Sequence, residues 1–160
     1  MTNSSKIHPN SESCKPVVVF VDDDAMLLAG TKRRVRKMPT QWEFHFANSA
    51  KECLRLCETV TPDVVVSDMR MPGMDGASLL AEIRRLFPWA FRIILSGESE
   101  EEQLVEAQGN SHLFLSKPCD IEVLSETIQR CLRVRERLTI AKASTALADL
   151  EMNDVPGLIR

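Results

Sequence analysis

Oxygen-bearing side chains and one lysine recur in this chain at one kind of place. Asp22, Asp23 and Asp24 follow the apolar run Val17-Val18-Val19-Phe20-Val21. Asp68 follows Val64-Val65-Val66-Ser67, Ser96 follows Ile93-Ile94-Leu95, and Lys117 follows Leu113-Phe114-Leu115-Ser116. Carboxylates brought close together repel unless a cation joins them. Oxygen ligands that leave room for water and a phosphate oxygen favour Mg²⁺ over a transition metal. A carboxylate is also a competent nucleophile toward phosphorus, forming an acyl phosphate. The charge on the phosphoryl oxygens must then be met by the metal and by a fixed cation. Lys117 is that cation, and Ser96 is a donor for a third oxygen. Taken singly, each residue reads as a cap or a solvated charge; arriving together at the ends of apolar runs, they read as one site.

The elements that would position them follow from the same runs. Short apolar runs, each followed by a helix-like segment, read as buried strands of a parallel sheet. Such sheets bind ligands at the carboxyl ends of their strands. The expected strands are Val17 to Val21, a half-buried one near an edge where Trp42, Phe44 and Phe46 alternate with Glu43 and His45, then Asp63 to Ser67, Arg92 to Ser96 and His112 to Ser116. The first expected helix runs from Asp24 to Met38, with Leu27, Leu28, Thr31 and Val35 inward and Pro39 as a stop. The second starts at an Asn48 or Ser49 cap and ends near Thr59, and the third runs from an Asp75 cap to Phe87 after turn-forming Met71 to Gly76. A short acidic helix spans Gly97 to Gly109. A last one follows Asp120, with Ile121, Leu124, Ile128 and Leu132 on one stripe, and runs past Asp149 beyond the globular body. Right-handed crossovers restrict this alternation to an α/β fold with a doubly wound five-stranded parallel sheet. The flavodoxin-like order 2-1-3-4-5 sets strands one and three side by side, so Asp22, Asp23 and Asp68 face one cleft.

Bulk properties exclude several classes. A length of 160 residues suits one domain with extra chain at its ends. A formal charge of −3 argues against a direct nucleic-acid surface. No apolar run approaches the roughly 20 residues that span a bilayer. Residues 1–15 are polar, lack the core of a signal peptide and read as a disordered leader, so a cytoplasmic location without membrane attachment is the default. The organisation expected is this leader, a domain over 16–138 and a helical tail over 139–160. Lys32, Arg33, Arg34, Arg36 and Lys37 read as a solvated helix face. Cys53 and Cys57, one turn apart, have the spacing to share a metal, but Leu54, Leu56 and Val60 set that helix against a core, where thiols behave as small apolar groups.

Val21-Asp22-Asp23-Asp24, Ser67-Asp68-Met69-Arg70-Met71-Pro72-Gly73-Met74-Asp75-Gly76, Leu95-Ser96-Gly97 and Leu115-Ser116-Lys117-Pro118 together resemble the receiver domain of two-component response regulators. The resemblance covers Pro16 to Leu138. It implies that Asp68 accepts a phosphoryl group from a phosphohistidine on a sensor histidine kinase or phosphotransfer protein. It implies Mg²⁺ held by Asp23, Asp68 and the main-chain carbonyl of Arg70, with Asp22 binding directly or through water. Lys117 contacts a phosphoryl oxygen, and Ser96 and Phe114 hold the switch positions. The Lys117–Pro118 bond is expected to be cis. Phosphorylation draws the Ser96 hydroxyl inward, Phe114 turns into the vacated space, and the face made by the fourth helix, fifth strand and fifth helix changes. A coupling of about 1–3 kcal/mol suffices for such a switch. Arg70 and Glu98 flank the route of attacking water and pair over the phosphoryl group to slow its hydrolysis, while Gly97 leaves the site open to a donor. The receiver catalyses only its own phosphorylation and dephosphorylation.

A finer similarity, over Asp63 to Gly76 and Ser116-Lys117-Pro118-Cys119-Asp120, is to receivers joined to HDOD or HD-GYP output domains, with the tail as the junction. The tail also suits a short coiled coil with a second copy, although Arg135 interrupts its stripe. Two other readings stand beside these. One is a haloacid-dehalogenase-like phosphatase with Asp22 as nucleophile and Asp24 as acid/base; Met26 departs from its motif, and Asp68 would lack a role. The other is a phosphate-independent interaction module. A dinucleotide site is excluded because no Gly-x-Gly-x-x-Gly follows the first strand.

Overall fold

The structure is a computed structural model that describes residues 15–38, 41–97 and 109–153, with 143–153 as main chain alone. Strands β1 (Val17–Val21), β2 (Glu43–Ala47), β3 (Val64–Asp68), β4 (Phe91–Ser96) and β5 (Leu113–Ser116) form one sheet in the order β2-β1-β3-β4-β5. Every pairing is parallel. Helices α1 (Ala25–Val35), α2 (Ala50–Leu56), α3 (Gly76–Leu86) and α4 (Ile121–Asn153) cover its faces. The helix expected between β4 and β5 falls on 98–108, outside the described residues, as do the leader through Cys14 and the Pro39 stop.

A central strand with helices on both sides has no solvent face, so its residues need not alternate. In β3 all five residues are buried. Val19, Val21, Val65 and Ile94 meet α2 and α3 through Cys53, Leu79, Leu80 and Ile83. Val18, Phe20, Val64, Val66 and Ile93 meet α1 and α4 through Val35, Leu124, Ile128 and Cys131. Each fully buried Val or Leu side chain contributes about 1.5–3 kcal/mol. Cys53 and Cys57 both lie in the first layer, consistent with packing rather than ligation. The Cys53 thiol is pushed far up by its hydrogen bond with Cys57, then by burial, which keeps it a neutral thiol.

Asp75 caps α3 as expected, Ser49 rather than Asn48 caps α2, and Asp24, expected only as the start of α1, is its cap; each accepts the first free N–H groups of its helix. One expected inward residue points out. Leu27 is 53% exposed, because it sits about 100° around α1 from Leu28, which with Thr31 and Val35 follows the inner stripe. Helix α1 is also shorter than expected, closing at Val35 with a turn that leads to buried Met38. Lys32 lies 5.6 Å from the centroid of the Phe46 ring, while Arg33, Arg34, Arg36 and Lys37 are exposed.

The end of the sheet remote from the acids is tied by a charged residue. Asp63 accepts from the Val17 N–H at 2.6 Å and pairs with Arg135 of α4. Arg135 interrupts the apolar stripe of α4 because its partner lies beneath the helix there. Beyond it, residues 136–142 are exposed on every side. Removing one partner of a largely buried pair costs more than the pair contributes, since the other charge stays behind. Arg135→Met should therefore lower the unfolding free energy by about 3 kcal/mol in a urea titration; an unchanged midpoint would mean the pair is not what anchors α4.

Candidate functional site

The acids arrive together because β1 and β3 are adjacent and in register, Val21 opposite Ser67. One carboxylate oxygen from each of Asp22, Asp23 and Asp68 lies within 4.8 Å of the others. Asp68 is 8% exposed, whereas Asp23 is open to solvent. Asp22 is oriented by its own turn: Oδ1 accepts the Asp24 N–H at 2.9 Å. Three hard oxygen donors, graded from buried to open, fit a divalent ion such as Mg²⁺ that keeps several waters.

Lys117 reaches this nest from β5. Its Nζ lies 2.6 Å from Asp68 Oδ1 and 3.0 Å from Asp22 Oδ2. Burial pushes the ammonium down, but hydrogen bonds to Asp68 and Asp22, and then their charge, outweigh it and raise Lys117 above its ordinary value. Ser96 is buried at the end of β4, and its carbonyl accepts the Lys117 N–H at 2.7 Å, which ties the ends of β4 and β5 together. The Lys117–Pro118 bond is cis. Phe114, half-buried, packs against the α2–α3 layer. Arg70 is exposed on a loop whose residues Met69, Arg70, Met71, Pro72 and Asp75 line a depression of about 320 Å³. Glu98 lies outside the described residues.

Asp24 takes no part. Its Oδ1 accepts the Met26 and Leu27 N–H groups at 2.9 and 3.1 Å as the cap of α1, and it is not among the three converging carboxylates, which counts against the phosphatase reading. Two other residues touch the site's backbone without having been expected there. The Ser67 hydroxyl donates to the Asp68 carbonyl at 2.9 Å, and Gly76 packs against that same carbonyl. In the sequence Gly76 reads only as part of a turn before a helix, and Ser67 only as the end of a strand.

Residues 18–129 match the sequence model of the response regulator receiver domain. The chain belongs to that family. Receivers are signalling switches, phosphorylated on an aspartate with the help of Mg²⁺, and not metabolic enzymes. This receiver is 39% identical over 85 residues to the DNA-binding transcriptional regulator NtrC of Klebsiella pneumoniae, a stretch that is 52% of this chain and 18% of NtrC. It is 29% identical over 144 residues to the transcriptional regulatory protein PrrA of Mycobacterium leprae, 89% of this chain and 60% of that one. The chain thus spans about a fifth of the length of the NtrC relatives it matches. Among solved structures it superposes on the signal receiver domain of an HD domain-containing protein from Pseudomonas fluorescens Pf-5, with a TM-score of 0.72 and 28% identity over 78% of this chain and 99% of that one. A CheY-like receiver from Methanospirillum hungatei JF-1 gives 0.72 and 26% over 78% and 98%.

The Lys117 charge sets an alkaline limit. Below the ordinary lysine value of 10.5 the ammonium is present in folded and unfolded chains alike, and its contribution is complete. That contribution is lost as pH rises from there through the higher folded value. Melting temperatures measured from pH 9 to 12 should fall more steeply above about 10.5 in the native receiver than in Lys117→Met; parallel curves would contradict the pairing.

Proposed function

We propose that Asp68 is the phosphoacceptor of this receiver, with Asp22, Asp23 and the Arg70 carbonyl as its magnesium partners and Lys117 as its fixed cation. The observation that carries this reading is Lys117 Nζ lying within hydrogen-bond distance of both Asp68 and Asp22 in a nest of three carboxylates. A carboxylate oxygen of Asp68 attacks the phosphorus of a phosphohistidine. The P–N bond breaks, and its electron pair stays with the departing imidazole, which takes up a proton. Mg²⁺ in this nest would offset charge on the phosphoryl oxygens. Lys117, already positioned by two acids, turns its ammonium to one of those oxygens. The Ser96 hydroxyl reaches another, and because Ser96 and Lys117 share a backbone hydrogen bond, β4 and β5 respond together. Phe114 then rotates toward the space behind Ser96 and remodels the face beside β5 and α4. Both arrangements pre-exist, and phosphorylation shifts their populations.

The donor is a sensor histidine kinase or a phosphotransfer protein in the cytoplasm. The domain proper covers 16–138, with 139–160 as a helical tail toward an HDOD or HD-GYP output or a second copy. Support for the tail comes from the bare helix surface after Arg135 and from the likeness to the receiver of the HD domain-containing protein. Among the described residues no helix is long and apolar enough to cross a membrane.

Acetyl phosphate with Mg²⁺ should label the protein on Asp68, and Asp68→Asn should abolish the label. Label mapped to Asp22 would favour the phosphatase reading, and absence of label in the native chain would favour the phosphate-independent module. Asp23→Asn should retain little labelling at millimolar Mg²⁺. Arg70 and Glu98 together shield the acyl phosphate from water, so Arg70→Ala and Glu98→Ala should each shorten its lifetime severalfold in a dephosphorylation time course. Unchanged lifetimes would discard that role.

A further inference from the structure

The main chain at Asp68 is held more tightly than a strand end requires. Met69 N–H donates to the Leu95 carbonyl at 3.0 Å, which pins this stretch to β4. Gly76 N–H donates to the Met69 carbonyl at 2.9 Å, which returns the loop onto the strand. The Asp68 carbonyl accepts from the fully buried Ser67 hydroxyl at 2.9 Å. The bare α-carbon of Gly76 packs against the same carbonyl. A Cβ there would stand 2.1 Å from the Asp68 oxygen, 3.0 Å from its carbon and 3.1 Å from Met69 Cα. Every one of those atoms is main chain, so no side chain can swing aside. Among the described residues only Gly73 has a positive φ, so Gly76 is required for spacing and not for backbone conformation.

The peptide plane between Asp68 and Met69 is therefore clamped by a hydroxyl and a missing side chain. Its orientation fixes two things at once. Upstream, it sets the direction from which the Asp68 carboxylate leaves the strand. Downstream, it sets the path to Arg70, whose carbonyl faces the same nest in the reading above. We propose that Ser67 and Gly76 are positioning residues for phosphoryl transfer: they hold the Asp68–Met69 peptide so that nucleophile and metal-binding carbonyl meet the phosphoryl group in one geometry. This rests on Asp68 being the phosphoacceptor. Relieving a 2.1 Å contact requires a backbone shift of about 1 Å, and a displacement of that size can cost about 100-fold in rate.

The test uses the full chain, acetyl phosphate as donor and saturating Mg²⁺. Ser67→Ala should keep native circular dichroism and lower the limiting rate of phosphorylation about tenfold, leaving the half-saturating acetyl phosphate concentration unchanged. Gly76→Ala should lower that rate about 100-fold and weaken Mg²⁺ binding by calorimetry. Gly30→Ala, where a Cβ meets nothing within 4 Å, is the control and should react as the native chain does. Ser67→Ala phosphorylated at the native rate, or losing only donor affinity, overturns the proposal, and that variant decides alone if Gly76→Ala does not fold. Failure of the underlying reading looks different: Asp68→Asn would then label as the native chain does.

Discussion

Three carboxylates held at one edge of a parallel sheet are the constraint on which the rest depends. Asp22, Asp23 and Asp68 approach within 4.8 Å of one another, in surroundings that screen them less than water would. A fold that assembles such a group must also supply positive charge. This one does so from 95 residues away in sequence, by bringing Lys117 to 3.0 Å from Asp22. Repulsion and its relief thereby link β1, β3 and β5 through a few atoms. Whatever alters the charge at Asp68 is felt at Lys117, and through the Lys117–Ser96 backbone bond at β4. A receiver needs chemistry at one residue to be registered by neighbouring elements, and this linkage is a physical form of that need.

Much of this was legible in the sequence, because buried parallel strands are written as apolar runs and their ends as abrupt changes to polar residues. β1 and β3 could be read nearly to the residue, and so could the Ser49 and Asp75 caps. The site followed once strand order was constrained by crossover handedness. What escaped reading had no local signature. Leu27 matched an apolar stripe in composition, yet it lies a third of a turn off the inner face of α1 and stays half exposed. Arg92 opens a strand as an ordinary polar residue would, but its guanidinium is buried and donates to the Asn110 and Ala90 carbonyls. Arg135 looked like a flaw in a stripe until Asp63, 72 positions earlier, was found beneath it. Both arginines depend on a partner distant in the chain.

Ser67 and Gly76 were invisible for a related reason. Serine before the acid fits a buried strand poorly and says nothing about where its hydroxyl goes. Glycine after an Asp cap is ordinary at a helix start. Only the return of α3 onto the end of β3 reveals that the two residues meet at a single carbonyl. Small residues close to a reactive centre often matter through the volume they leave empty, which no pattern of hydrophobicity records.

The length of α4 has a mechanical meaning. From Arg135 to Asn153 the helix continues for about 27 Å at 1.5 Å per residue. Its fulcrum is the Asp63 contact, on the edge of the sheet opposite the acids. A rotation of only about 5° there sweeps the far tip through roughly 2 Å over that length. A rod of that length turns a slight rotation at its base into a displacement of a few ångströms at its end.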